Sequence, residues 1–299
     1  MSMSYDVLIC TFSYGGNGGM KSEHPDVRDW MLKNIPEIKS DERIDRVDVV
    51  DMADTPITMM RNRAVLSARR GDYDLLLMID SDMAPDLYLG KDPGAKSFWD
   101  SSFEFIVKQD KPLVVAAPYC GPPPRENIYV FRWRNMESDS PDDTDLNLDQ
   151  YSREEAFERA GIEEVAALPT GLILCDVRVF ELTEPKEQGD DPWFYYEWAD
   201  IYRSEKCSTE DVTATRDISL RGVQEWGYNP VFVNWDSWAG HWKPKVVGKP
   251  RLLTASDVSD RFAKAAKRLP ADEKVETVDF TRGISWGKDS PARPFQVPR

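Results

Sequence analysis

The chain has little of several features that usually announce a function. It holds only two histidines in 299 residues, His24 and His241, so any imidazole ligand is one of these. Its four cysteines, Cys10, Cys120, Cys175 and Cys207, include no C-x-x-C pair, and three sit in or beside apolar runs. That pattern argues against a disulfide frame or a zinc site and predicts reduced thiols in a cytoplasmic protein. No apolar run approaches the roughly 18 to 20 residues that a membrane-spanning helix needs, and no basic-then-apolar leader opens the chain. The Gly-rich "SYGGNGGM" (13–20) fits neither G-x-G-x-x-G nor the P-loop with its Gly-Lys-Ser/Thr end. It reads as a flexible loop. No internal repeat is visible.

Acidic charge is in excess, with a formal net charge of −15. It is unevenly placed. Residues 242–299 carry 13 Lys and Arg against 7 Asp and Glu, so residues 1–241 carry −21. A field of that sign disfavours non-specific binding to nucleic acid or anionic lipid. The stretch "ESDSPDDTDLNLD" (137–149) reads as a solvated acidic loop. The composition divides the chain into a core domain, 1–241, and a basic C-terminal extension, 242–299, either wrapping back or partly disordered, with "SDVSDRFAKAAKRL" as one amphipathic helix.

Apolar periodicity predicts alternating strands and helices. "YDVLICTF" (5–12), "RIDRVDVVDM" (43–52), "DLLLMID" (74–80) and "PLVVAAPY" (112–119) read as strands. "HPDVRDWMLKNI", "PITMMRNRAVLSARRG" and "AKSFWDSSFEFIVKQ" read as the helices between them. This order predicts an α/β fold, a mostly parallel central sheet with helices on both faces. In the second half "NIYVFRW", "EEVAALPTGLILCDV" and "NPVFVNW" are further strands, and "TEDVTATRDISLRGVQEWG" (209–227) is a helix with Ser208 or Thr209 as its N-cap.

In such sheets ligands bind beyond the carboxyl ends of the strands. Thr11 falls at the end of the first strand, Asp51 and Asp54 at the end of the second, and Asp80 and Asp82 at the end of the third. Two carboxylates one residue apart repel each other and resist burial, so a compensating cation is expected, and hard oxygen ligands suit Mn²⁺ or Mg²⁺. Taken alone, Asp-x-Asp is more often a turn or cap than a metal site. The buried strand leading into it raises the metal reading.

"YDLLLMIDSDM" resembles the aspartate-x-aspartate segment of GT-A glycosyltransferases. "VDVVDMADTPITMMRNRAV", "LPTGLILCDVRVFE" and "STEDVTATRDISLRGVQEWGYNPVFVNWDSWAGH" resemble, in the same order, segments of glycosyltransferase family 2 and its relatives. The likeness spans roughly residues 5–241. It implies a Rossmann-like GT-A fold and transfer of one sugar from a nucleoside-diphosphate sugar, with UDP as the expected nucleotide, to an acceptor hydroxyl. It implies that Asp80 contacts the donor ribose or holds the metal through water, that Asp82 and His241 ligate the metal, and that Thr11 and Asp51 lie near the base. Because "DMADTP" departs from the family's pattern, Asp51 and Asp54 remain alternatives. By the same resemblance Asp211 of Thr-Glu-Asp is the general base of an inverting reaction, and Glu210 either assists orientation or lies one layer behind the reacting groups.

Plainer readings stand beside these. Glu210 and Asp211 suit any helix first turn, His241 suits a loop, and His24 reads as a surface residue. Arg61 either offsets phosphate charge or forms a helix-surface ion pair. The aromatics of "DDPWFYYEW" and "WDSWAGHW" either stack on an acceptor or fill a core. The acidic core favours a small molecule, glycan or peptide as acceptor over nucleic acid. The Gln-x-x-Arg-Trp sequence of processive synthases is absent. Two other classes stay open, a metal-dependent nucleotidyltransferase and a non-catalytic binding module with a transferase fold.

Overall fold

A computed structural model describes residues 4–13, 24–53, 56–123, 126–134, 148–200, 202–243, 245–247 and 249. The Gly-rich loop, most of the acidic loop, Asp54 and the predicted C-terminal helix lie outside them. In chain order the elements are β1 (Tyr5–Ser13), α1 (Pro25–Ser40), β2 (Ile44–Ala53), α2 (Ile57–Arg70), β3 (Leu75–Asp80), β4 (Met83–Ala84), α3 (Phe98–Gln109) and β5 (Val114–Ala116). After them come β6 (Phe131–Trp133), β7 (Leu148–Gln150), α4 (Arg153–Phe157), β8 (Ile162–Glu164), β9 (Leu172–Asp176), β10 (Glu197–Trp198), β11 (Lys206–Ser208) and α5 (Glu210–Arg221). The series closes with β12 (Val231–Asn234), β13 (Gly240–Lys243) and β14 (Lys245–Val247).

Seven strands form the central sheet in the order β2-β1-β3-β9-β5-β12-β8. β1 pairs in parallel with β2 and β3, and β12 with β5. β9 runs antiparallel to both β3 and β5, and β8 antiparallel to β12. The mostly parallel α/β sheet is therefore present, with one difference from the predicted order. β3 and β5 are not neighbours, because β9, from the second half of the chain, inserts between them.

Strand alternation puts helices on both faces. Leu8, Cys10, Phe12, Leu76 and Met78 pack with Met60, Ala64, Val65 and Ala68 of α2 and with Ala214 and Ile218 of α5. Their chain neighbours Val7, Ile9, Leu75, Leu77 and Ile79 pack on the other face with Val27 and Trp30 of α1 and Phe98, Phe103 and Ile106 of α3. Successive strand residues point to opposite faces, so a strand covered twice reads as one apolar run. β3 is buried along its whole length. Each of its large aliphatic side chains stabilises the fold by about 1.5–3 kcal/mol relative to exposure, enough to hold a carboxylate at its end.

A second, small sheet, β14-β13-β4, sets His241 opposite Met83 and Gly240 opposite Ala84. Cys10, Cys120 and Cys175 are buried, and Cys207 is exposed. Burial pushes the thiols of Cys10 and Cys120 up to about 12, which makes them unreactive.

Candidate active site

Two carboxylates that share one turn have very different surroundings. Asp80 ends β3 and is 7% exposed. Its backbone N–H donates to Gly171 O at 2.8 Å. Both of its oxygens accept from Arg61 Nη2, Oδ1 at 3.0 Å and Oδ2 at 2.9 Å. Burial lifts the Asp80 carboxyl above its ordinary value, Arg61 opposes that shift, and Asp82 adds to it. Asp82 lies two residues on, and its side chain is 24% exposed. Its Oδ2 is 3.2 Å from His241 Nε2, and its carbonyl accepts from Trp242 N at 2.7 Å.

Arg61 corrects the helix-surface reading of that residue, because its ion pairs lie inside the fold. It is 2% exposed, bound to Asp80 and the Thr170 hydroxyl, with Nη1 3.6 Å from Glu210 Oε1. The physical reason is its position in α2. Ile57, Met60, Ala64, Val65 and Ala68 form the buried stripe, and Arg61 falls within it. A charge in an apolar stripe requires a buried partner, and that was a signal in the sequence. The neighbouring Asn62 anchors a different segment. Its amide donates to Phe194 O and accepts from Phe194 N, both at 2.9 Å.

Glu210 and Asp211 open α5 after Thr209, the N-cap. Glu210 is 8% exposed, and burial raises its carboxyl while Arg61 opposes the rise. Burial together with the Glu210 carboxylate pushes the Tyr196 phenol up to about 12. Asp211 accepts through Oδ1 from Val212 N at 2.9 Å and from the Thr209 hydroxyl. Thr11 and Asp51 face each other across β1 and β2, and Asp51 Oδ1 accepts from Thr11 at 3.2 Å and from Ser13 at 2.8 Å.

Two site residues escaped the sequence reading. Tyr119 follows β5 and is 6% exposed. Its ring meets His241 edge-on at 4.9 Å, and a Cβ placed on Gly171 would come within 3.0 Å of it. Burial raises its phenol well above the usual value, and Asp211, Asp80 and Asp82 raise it further. The rule of carboxyl ends, applied to "PLVVAAPY", points to it. His24, read as a surface residue, stacks on Trp242 with ring centroids 3.9 Å apart, and its N–H donates to Ser81 O at 2.9 Å. No local pattern signals a contact between residues so far apart in the chain.

The aromatic segments divide between both readings. Trp193, Phe194, Trp235 and Trp238 are buried core, whereas Trp198 is exposed and Tyr196 half-buried. The site's donor set was tested against a divalent cation. Asp82 Oδ2 and His241 Nε2 are 3.2 Å apart, close to the ~3.0 Å between adjacent ligands of an octahedral ion with bonds near 2.1 Å. His241 Nδ1 is buried without a partner among the described residues. Oxygen and nitrogen at this spacing fit the ion. Asp80, with both oxygens on Arg61, fits an outer position. Among the described residues no group of three or more His, Cys, Asp and Glu could hold a metal, so a cation at Asp82 and His241 needs further oxygens from a ligand.

Fold and site together define a Rossmann-like α/β protein. Acidic, histidine and tyrosine side chains gather at the carboxyl edge of its parallel strands. No protein-family model and no curated protein matches the chain. Among solved structures it is similar to A197 from STIV, with 14% identity and a TM-score of 0.45 over 83% of this chain and 96% of that one. It is similar to a proposed glucose-1-phosphate thymidylyltransferase from Bacillus anthracis, with 10% identity and a TM-score of 0.42 over 89% and 98% of the two chains. It is also similar to GalNAc-T7 with UDP, GalNAc and Mn2+, with 12% identity and a TM-score of 0.40 over 80% and 44%. All three likenesses are distant, and the site's chemistry is read from this chain's own residues. No described helix is long and apolar enough to cross a membrane.

Proposed function

We propose that this chain is a metal-dependent glycosyltransferase of the GT-A kind, akin to glycosyltransferase family 2. It moves a single sugar from a nucleoside-diphosphate sugar, UDP-linked in our reading, to an acceptor hydroxyl with inversion. One observation carries the proposal. Asp82 and His241 face each other just past the end of β3, and Arg61 ties Asp80 to Glu210 at the head of α5, next to Asp211.

Asp82 and His241 would hold Mn²⁺ or Mg²⁺. Bound there, the cation would offset the charge that develops on the departing diphosphate. Asp211 takes the acceptor's proton as the acceptor oxygen bonds to the sugar carbon and the bond from that carbon to the diphosphate breaks. Glu210, paired with Arg61, fixes the first turn of α5 and so the position of Asp211. Asp51, oriented by Thr11 and Ser13, accepts the imino N–H of the base. Asp80 contacts the ribose or the cation's water shell. Residues 1–241 form the transferase domain and 242–299 a basic extension. The acceptor is a small molecule, glycan or peptide, and the protein is cytoplasmic.

Thermal melting with UDP, GDP or CTP, each with and without Mn²⁺, tests this reading. Stabilisation by a nucleoside diphosphate only with metal is the expected result. Stabilisation by the triphosphate alone would favour nucleotidyl transfer instead. No shift with any combination would leave a binding module.

A further inference from the structure

The ring of His241 lacks a common support. A metal-binding histidine generally donates its second ring N–H to a carboxylate, a carbonyl or water, and that bond fixes the ring. His241 Nδ1 is buried and has no such partner among the described residues. The ladder on the Asp82 side of its strand is also short. β13 meets β4 through Gly240 opposite Ala84 and His241 opposite Met83. Strand side chains alternate between faces, so a slip of one residue would turn His241 away from Asp82.

Other contacts fix that register. Asp82 O accepts from Trp242 N at 2.7 Å, and Ser81 O accepts from His24 N at 2.9 Å. The two donor residues are themselves joined. The Trp242 indole stacks on the His24 ring, with centroids 3.9 Å and planes 25° apart, and its Nε1 donates to Asp26 Oδ2 at 2.9 Å. His24 is the N-cap of α1, and its Nδ1 accepts from Asp26 N at 3.2 Å. The same end of α1 is anchored in the core by Val27 and Trp30. Trp242 follows His241 in β13 and so points to the opposite face of the strand. The turn that carries Asp82 is thus held by α1 at Ser81 and by β13 at Asp82, and the aromatic stack ties those two elements together.

We infer that His24 and Trp242 are positioning residues, whose stack holds β13 in the register that turns His241 toward Asp82 and so sets the affinity of that pair for a divalent cation. This inference rests on the metal reading of Asp82 and His241 above. It adds that the head of α1, which supplies no ligand in that reading, belongs to the cation site. Both residues act through His241 and donate nothing to the cation themselves.

The test compares the full chain with His24→Asn, Trp242→Ala and Trp242→Phe. Asparagine is a good N-cap, so His24→Asn removes the stacked ring and keeps the helix start. Calorimetry measures Mn²⁺ affinity in the presence of UDP, well below each variant's melting temperature. His24→Asn and Trp242→Ala should bind Mn²⁺ about tenfold to a hundredfold more weakly, the cost of losing the support behind a metal ligand. Trp242→Phe, which keeps a ring against His24, should lose less than Trp242→Ala. A merely structural role would lower the melting temperature and leave the affinity of the folded protein where it was. A second readout needs no metal. His24→Asn leaves His241 as the chain's one histidine, so its ring signals in NMR are assigned without ambiguity. They should move from their wild-type positions as the ring leaves its place beside Asp82, and unmoved signals would overturn the inference. If wild type binds Mn²⁺ with UDP and the folded variants bind it equally well, the inference fails and the metal reading stands. If wild type binds no Mn²⁺ with UDP, the metal reading is overturned and this inference with it.

Discussion

Arg61→Met removes the buried cation that pairs with Asp80 and Glu210. The side chains are close in volume, so the variant isolates charge from packing. Arg61 Nη2 lies 2.9 Å from Asp80 Oδ2 and Nη1 lies 3.6 Å from Glu210 Oε1, with Arg61 itself 2% exposed. At an effective dielectric of about 20 the closer pair attracts by about 5–6 kcal/mol. Desolvation cancels part of that gain, yet deleting one partner of a buried pair still costs about 3–5 kcal/mol, because the other charge stays behind. For a protein of this size the loss corresponds to a fall in Tm of about 10 °C. The deficit should also depend on pH. Burial already lifts both carboxyls above their ordinary values, and Arg61 opposes the lift. Without Arg61 they rise further. A carboxyl raised in the folded state keeps its proton where the unfolded chain has lost it, so stability falls as pH climbs through that interval. Calorimetric melting should therefore show a larger deficit near about pH 8 than near about pH 5. Arg61→Met with Asp80→Asn should recover part of the loss. A variant that melts within about 2 °C of wild type, or a deficit that ignores pH, would refute the buried counter-charge.

Asp82→Asn should abolish the melting shift given by UDP with Mn²⁺ while leaving the unliganded Tm within about 2 °C, since the side chain is partly exposed; an unchanged ligand shift would remove Asp82 from the metal reading. Asp211→Asn should retain UDP and Mn²⁺ binding but lower transfer by about 10²–10⁴-fold, the scale of a missing general base. Full turnover, followed by release of UDP, would place the base elsewhere. Gly171→Ala brings a Cβ to 2.9 Å from Met83 Sδ and 3.0 Å from Tyr119 Cε1. It should destabilise by about 1–3 kcal/mol in urea unfolding, as overpacking does, and equal stability would show that the contact relaxes freely.

Local pattern made the first half of the fold legible. β1 and β3 are apolar runs, β2 mixes apolar with charged residues at the sheet's edge, and the helices between them have apolar stripes, α2 with the stop residue Gly71. Pairing between distant segments was not legible. Nothing in "GLILCD" states that it runs antiparallel between β3 and β5, since a strand buried on both faces reads the same in either direction. The carboxyl-end rule put Thr11, Asp51 and Asp80 at strand ends and Asp82 just beyond, as the structure has them, because that rule depends only on strand direction. Partners set by tertiary contact escaped it. His24 beside Trp242, Tyr119 against Gly171 and Asn62 on Phe194 each join segments far apart in the chain.

The same separation explains how two adjacent carboxylates share one turn. A pair of equally exposed aspartates would repel, and one would be expected to hold a proton. Here the burden is divided. Asp80 turns to an interior cation that the fold itself supplies, at the cost of burying Arg61 with its Nε lacking a partner among the described residues. Asp82, kept at the surface beside His241, is left to meet a ligand from outside. With Asp80 neutralised from below, an incoming cation at Asp82 would face one net charge in place of two, and would bind more weakly than at a bare pair. Its full affinity would then depend on the negative charge of the nucleotide, so metal and nucleotide should bind together and poorly apart. Such cooperativity would follow from the placement of Arg61, and would separate the proposed site from a structural metal centre whose protein ligands suffice.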